Sequence, residues 1–122
     1  MAGVNYQNFE GVEILIIDFS GKNELSSVSD IVNNAIHIVS ERERIPSLLA
    51  LVDFTHCATT KNMMAEIKRM AGHNRPYIKK ITLVGLPLLR SVMLNLAIRL
   101  SGRSNHKIFR NRSEAFDWLL KS

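Results

Sequence analysis

Two short segments of the sequence combine an acidic, an aromatic and a hydroxyl residue in the same order. Asp18-Phe-Ser20 follows one apolar run, and Asp53-Phe-Thr55 follows another. A carboxylate beside a hydroxyl suits phosphorylation or anion binding, and it also suits the capping of a helix, which is its commonest use. If both runs are parallel strands, their carboxyl ends share one edge of the sheet. We therefore take Asp18, Ser20, Asp53 and Thr55 as one candidate regulatory site.

The residue types that support enzyme or metal chemistry do not form a recognisable arrangement. His56 and Cys57 are adjacent, but neighbouring side chains rarely face each other as base and nucleophile, and a lone cysteine is usually a small buried hydrophobe. The four histidines lack the spacing of metal ligands. Gly21-Lys22 lacks the glycine-rich run and the Ser or Thr of a phosphate-binding loop. We expect no catalytic residues, no metal and no cofactor, and hence no enzyme.

A methionine pair is a candidate ligand pocket. Met63 and Met64 begin an apolar stripe of a predicted helix, and such a stripe most simply belongs to the core. Methionine also suits an adaptable pocket for a lipophilic ligand, because its side chain is unbranched and polarisable. Met63 and Met64 would line that pocket if the protein carried a small lipophilic or anionic molecule.

The segment 87–100 carries more apolar residues than one core face of a helix needs. Leu94 and Ile98 fall off the main stripe, and Arg99 and Arg103 follow closely. Two explanations fit the apolar pair equally well: packing inside the domain, or contact with a second copy, a lipid or a protein. These four residues form a candidate contact surface, and in a carrier the two arginines would hold an acidic headgroup.

The net charge of +5 hides an uneven distribution. Residues 1–61 carry four Lys or Arg against eight acids, whereas residues 62–122 carry twelve against three. The basic half suits an anionic lipid headgroup, an acidic protein or the acidic half of a second copy. Nucleic acid is disfavoured, because the sequence has no helix-turn-helix, zinc-finger or RNA-stacking pattern. We expect a protein partner or self-association as a homodimer.

Length and composition place these candidates in one domain. A chain of 122 residues, 46% of them hydrophobic, has enough material for one globular core spanning residues 1–122. Its single cysteine fits a reducing compartment, and neither a signal peptide nor an apolar stretch of membrane-spanning length is visible. We expect a cytoplasmic protein with no transmembrane segment.

The hydrophobic pattern alternates between short β-branched runs and segments of helical periodicity. Strands are predicted over Val12–Phe19, Leu48–Asp53, Ile78–Gly85 and Lys107–Arg110, and a further short strand is predicted near Tyr6–Phe9. Helices are predicted from a serine cap at Ser26, Ser27 or Ser29 to Pro46, from Thr60 to Gly72, from Pro87 to Leu100 and over Ser113–Leu120. This βαβαβαβα order predicts an α/β fold, a mostly parallel sheet with helices on its faces.

Six segments in a fixed order carry a resemblance that spans nearly the whole chain. They are Ile16-Ile-Asp-Phe-Ser-Gly21, Leu51-Val-Asp-Phe-Thr55, Ala71-Gly-His-Asn-Arg-Pro-Tyr77, Leu83-Val-Gly85, Leu100-Ser-Gly-Arg103 and Ser113-Glu-Ala-Phe-Asp-Trp-Leu119. In these segments the chain resembles a small bacterial family of anti-sigma-factor-antagonist-like proteins, which combine STAS-domain and CRAL-TRIO-like (lipid-transfer) character. The resemblance implies a four- or five-stranded, mostly parallel sheet flanked by helices.

The same resemblance gives the candidate site an expected role. Regulatory STAS proteins have Asp-Ser-Ser-Gly after a strand, and a partner kinase phosphorylates the second serine. Asp53 and Thr55 match the Asp and the phosphoacceptor, whereas Phe54 and His56 depart from the first Ser and the Gly. The resemblance implies a non-enzymatic regulatory module that acts through protein contacts. Its CRAL-TRIO side implies the alternative, a carrier with an apolar lipid pocket.

Overall fold

A computed structural model describes residues 1–58, 60–86 and 105–121. The strands of these residues are β1 (Val4–Phe9), β2 (Val12–Asp18), β3 (Leu48–Asp53), β4 (Ile78–Val84) and β5 (Asn105–Phe109), and the helices are α1 (Leu25–Ser40), α2 (Lys61–Asn74) and α3 (Arg112–Leu120). The strands form one sheet in chain order. β1 runs antiparallel to β2, and every other neighbouring pair is parallel.

The first two strands form a hairpin closed by a two-residue turn. Both turn residues, Glu10 and Gly11, have positive φ, at 52° and 84°, which is the geometry that matches the twist of paired antiparallel strands. The short strand predicted before Val12 is therefore confirmed. The helix predicted over residues 87–100 and its candidate contact surface lie outside the described residues.

Each central strand is buried on both faces, because helices cover the sheet on both sides. In β2, Leu15 and Ile17 pack with α1 and α2, whereas Ile14 and Ile16 pack with α3. This alternation follows from the two-residue period of a strand. The apolar stripe of α1 is buried, namely Val28, Ile31, Val32, Ala35 and Val39.

Three helix boundaries differ from the predictions. The α1 helix begins at Leu25 after Glu24, with no side-chain cap, so the predicted serine cap is wrong. It ends at Ser40, well before the predicted stop at Pro46. The α2 helix continues through Gly72 to Asn74, because the burial of Ala71 and Asn74 outweighs the roughly 1 kcal/mol that an interior glycine costs. Pro76 lies in a 3₁₀ turn before β4. The predicted cap at Thr60 is confirmed, since its hydroxyl accepts from the Met63 amide at 3.2 Å.

Candidate functional site

The loops that follow β2 and β3 continue the hydrogen bonding of the parallel sheet beyond the strand ends. The Phe19 amide donates to the Asp53 carbonyl at 2.8 Å, and the Gly21 amide donates to the Thr55 carbonyl at 2.8 Å. One strand further, the Phe54 amide donates to the Val84 carbonyl at 2.8 Å. Backbone hydrogen bonds therefore set the two loops, Asp18–Lys22 and Asp53–Ala58, side by side.

Each loop begins with the same tight turn. An Asp18 carboxylate oxygen accepts from the Ser20 amide at 2.9 Å, and an Asp53 oxygen accepts from the Thr55 amide at 2.8 Å. An aspartate that accepts from the amide two residues ahead forms an Asx turn, in which the side-chain oxygen takes the place of the backbone carbonyl of an ordinary turn. The two acids thus shape their own loops and do not cap α1 or α2, whose N-caps are Glu24 and Thr60.

The aromatic residue of each loop anchors it to the core. Phe19 and Phe54 are 0% and 2% exposed, and their rings stack with centroids 5.5 Å apart and planes 10° apart. The stack joins the two loops below the surface that carries their polar groups.

One arginine binds both carboxylates. Nε of Arg112 lies 2.8 Å from Asp53 Oδ2, and a terminal guanidinium nitrogen lies 3.0 Å from Asp18 Oδ2. Arg112 is the first residue of α3. The sequence pattern does not single out Arg112 from the other Lys and Arg residues of the basic half. A signal was present, however, because a cation in the first turn of a helix opposes the helix dipole and needs a compensating anion.

The carboxyl of Asp53 stays ionised despite its burial. Burial is the largest influence on the pKa of Asp53 and raises it, but the hydroxyl and amide of Thr55 and the guanidinium of Arg112 together lower the pKa below its ordinary value. The pKa of Arg112 is raised, because Asp53 and Asp18 outweigh the opposing effect of burial. At neutral pH the cluster therefore holds the ionised Asp53 carboxylate against the Arg112 cation.

The surface above this cluster is formed by Thr55 and His56. Thr55 is half-buried against Gly85, whereas His56 is exposed and has φ of +56°. A non-glycine residue in this left-handed region is uncommon, and such strain concentrates at sites of function. Cys57 beside it is half-buried, and burial raises the pKa of its thiol, which makes it a poor nucleophile.

The remaining predicted residues lie elsewhere. Met63 and Met64 are 2% and 5% exposed and belong to the core between α1, α2 and the sheet. Leu94, Ile98, Arg99 and Arg103 lie outside the described residues. Among the residues that the structure describes, no group of three or more His, Cys, Asp or Glu side chains could hold a metal ion. The same residues include no helix that is long and apolar enough to cross a membrane.

The architecture matches a solved structure. The chain is similar to an uncharacterised protein of the DUF3478 family with a SpoIIAA-like fold from Shewanella loihica PV-4, at 15% sequence identity and a TM-score of 0.74. The similarity covers 95% of this chain and 91% of that one. No family model matches the sequence, and no curated protein matches it. The fold is therefore SpoIIAA-like, which confirms the STAS-type α/β fold predicted from the sequence.

Proposed function

We propose that this protein is a non-enzymatic, cytoplasmic regulatory module that binds a protein partner through its strand-end surface, the loops Asp18–Lys22 and Asp53–Ala58. The observation that carries the proposal is the pair of matching Asx turns held by one arginine. Loops fixed in this way lose little conformational entropy when a partner binds. Carriage of a lipid has weaker support, because Met63 and Met64 are buried in a packed core.

Phosphorylation of Thr55 is the proposed control of this surface. A phosphate there would place about two negative charges next to Asp53 and Asp18, which already share one cation. The added charge would repel both carboxylates and compete with them for Arg112. Because Arg112 begins α3, phosphorylation would loosen the start of that helix and change the surface that the partner meets.

The partner-binding part of the proposal is tested by a charge at the tip of the surface. His56→Asp adds a negative charge in a residue type that tolerates a positive φ, whereas Ala65→Glu adds the same charge at an exposed position of α2. A partner is captured from an extract of the producing cell, purified, and titrated against each variant by calorimetry. We expect about tenfold weaker binding for His56→Asp, since a tip contact contributes on the order of 1.4 kcal/mol, and unchanged binding for Ala65→Glu. Equal affinity of both variants would contradict the assigned surface.

The phosphorylation part is tested separately. The protein and its Thr55→Val variant are incubated with candidate kinases, and intact masses are measured. We expect one phosphate on the wild-type protein and none on Thr55→Val. A phosphate that persists in Thr55→Val, or the absence of any phosphate with a kinase that binds the protein, would remove Thr55 as the acceptor while leaving the partner surface to its own test.

A further inference from the structure

The β1 strand is an open edge of the sheet. The Asp18 amide donates to the Gly3 carbonyl at 2.7 Å, so Gly3 directs its backbone groups toward β2. Backbone direction alternates along an antiparallel strand, and Val4, Tyr6 and Asn8 therefore direct theirs away from the sheet. Of these outward groups, the Val4 amide bonds to the Met1 carbonyl at 3.2 Å. Within the described residues, no other strand pairs with this edge and no further backbone hydrogen bond reaches its outward groups.

This edge lacks the usual protection against pairing. Exposed edge strands are normally blunted by lysine, proline or a bulge, but β1 reads Val-Asn-Tyr-Gln-Asn-Phe and pairs with β2 in an unbroken register. The opposite edge strand differs, because β5 contains His106 and Lys107 and is followed by Arg110. A neutral edge can approach an identical edge without repulsion between like charges.

We propose that β1 pairs antiparallel with β1 of a second copy, so that the two sheets become one across a two-fold axis at Tyr6. An antiparallel pair is self-complementary, which is what a two-fold interface requires. The Tyr6 backbone groups of the two copies bond to each other. On either side, the Asn8 amide of one copy donates to the Val4 carbonyl of the other, and the existing bond of the Val4 amide is left intact.

The side chains fit the same register. On the face that carries α3, Asn5 of each copy lies opposite Gln7 of the other, so their amide groups can exchange hydrogen bonds. On the other face, the Arg42 guanidinium already covers the Tyr6 ring at 4.1 Å from its centroid. A six-residue edge buries less than the roughly 1,200 Å² of a stable interface. The dimer is therefore weak and forms reversibly with rising concentration.

The register is tested by sedimentation equilibrium from micromolar to millimolar protein. In Asn5→Lys/Gln7→Lys, a lysine of each copy faces a lysine of the other, whereas in Asn5→Lys/Gln7→Glu each lysine faces a glutamate. We expect dimerisation of the wild-type protein, about tenfold weaker dimerisation of the Lys/Lys variant and dimerisation of the Lys/Glu variant at least as tight as wild type. Denaturation by urea checks that both variants fold.

Amide hydrogen exchange of the wild-type protein keeps the test independent of any variant. Tyr6 and Asn8 amides should become protected as concentration rises, while the exposed Asn33 region of α1 remains unchanged. A protein that stays monomeric at millimolar concentration would overturn the proposal. So would a dimer that forms equally well in the Lys/Lys variant, because its interface would then lie elsewhere. Neither result bears on the partner surface at the strand ends.

Discussion

Asp53 and Asp18 share one guanidinium, but the two carboxylates differ in their exposure to water. The Asp53 side chain is 8% exposed and that of Asp18 is 38% exposed. A buried carboxylate without partners is strongly unfavourable, whereas an exposed one is solvated by water. Asp53 is therefore the residue that requires Arg112, and the bond from Arg112 to Asp18 adds less to stability because water competes for it.

We predict that Asp53→Asn lowers the free energy of unfolding by about 1–3 kcal/mol at neutral pH, since the charge-assisted bond to Arg112 is lost. The pKa of Asp53 is lowered in the folded state. Its contribution is thus fully present above the unfolded pKa of about 3.9 and is lost as pH falls through the folded pKa. Urea denaturation of both proteins from neutral to acidic pH should show the difference shrinking in that range.

Asp30→Asn is the matched control for this measurement. Asp30 is an exposed acid on α1 and pairs with no residue in the described part of the chain. Its replacement should change the free energy of unfolding by no more than about 0.5 kcal/mol. A difference between wild type and Asp53→Asn that stays constant down to strongly acidic pH would contradict the role given to the Asp53 charge.

Gly85 lies against Thr55 of the strand-end surface, and two separate features require a glycine at this position. Its φ is +75°, and a methyl group added to it would lie 2.7 Å from the Cα and the amide nitrogen of Thr55. We predict that Gly85→Ala costs at least about 2 kcal/mol, because the backbone strain of roughly 1–2 kcal/mol is joined by a clash with main chain. Gly21→Ala isolates the strain, since Gly21 has φ of +69° and open space around it. If urea titrations showed that Gly85→Ala and Gly21→Ala lower the free energy of unfolding equally, the clash with Thr55 would contribute nothing.

The sequence located the two acids but not the arginine that joins them, for a physical reason. Asp18 and Asp53 each end a strongly apolar run, and parallel strands bring such ends together. Arg112 is 59 residues away from Asp53 along the chain, and it reaches the site only because β5 lies at the far edge of the sheet and leads into α3. A local sequence pattern does not show that two residues so far apart along the chain meet in the fold. The role of Thr55 as a phosphoacceptor stays a prediction.

Among the elements, those with a strong hydrophobic period were predicted well. The β2, β3 and β4 strands and the buried stripes of α1 and α2 lie where the sequence placed them. Helix ends were predicted less well, because several polar residues near the start of α1 compete as caps and packing decides among them. The helix predicted over Ser113–Leu120 begins at Arg112, because Asn111 is its cap and accepts from the Glu114 amide at 3.0 Å.

The α3 helix is held at its far end by a lysine from β4. Nζ of Lys80 donates to the Trp118 carbonyl at 2.5 Å and to the Lys121 carbonyl at 2.7 Å. These carbonyls belong to the end of a helix, where intrahelical partners run out. We predict that Lys80→Met lowers the free energy of unfolding by about 1 kcal/mol and speeds amide exchange in the last turn of α3. The exposed neighbour Lys79 provides the control, Lys79→Met, and equal exchange rates in both variants would show that the two carbonyls need no donor.

The uneven charge of the chain is partly neutralised within the molecule. Arg112 from the basic half binds Asp18 and Asp53 from the acidic half, at 3.0 Å and 2.8 Å. The sequence suggested that opposite halves of two copies attract each other, and these contacts meet part of that attraction inside one copy. The neutral β1 edge is a separate route to association, since it depends on backbone groups and not on net charge.

The two hydrophobic clusters lie on opposite faces of the same strands, and this decides how the whole molecule unfolds. One cluster includes the buried side chains of α1 and α2, and the other includes Ala115 and Leu119 of α3. Adjacent residues of β2, β3 and β4 enter different clusters. Because α3 is also tied by Arg112 at its start and by Lys80 at its end, neither face can separate from the sheet without loss of the other.

We therefore predict a single unfolding transition in urea. Trp118, the one tryptophan in the sequence, reports on the α3 face, whereas far-UV circular dichroism reports on the helices of the chain together, α1 and α2 among them. The two signals should give the same midpoint. Leu119→Ala and Met70→Ala each remove a buried side chain from one cluster, and each should lower both midpoints together, at a cost of about 2–4 kcal/mol. If Leu119→Ala moved the fluorescence midpoint alone, α3 would unfold as a separate unit. Arg112 would then couple the strand-end surface to the rest of the sheet only weakly. A coupling that weak could not support the proposed control by phosphorylation of Thr55.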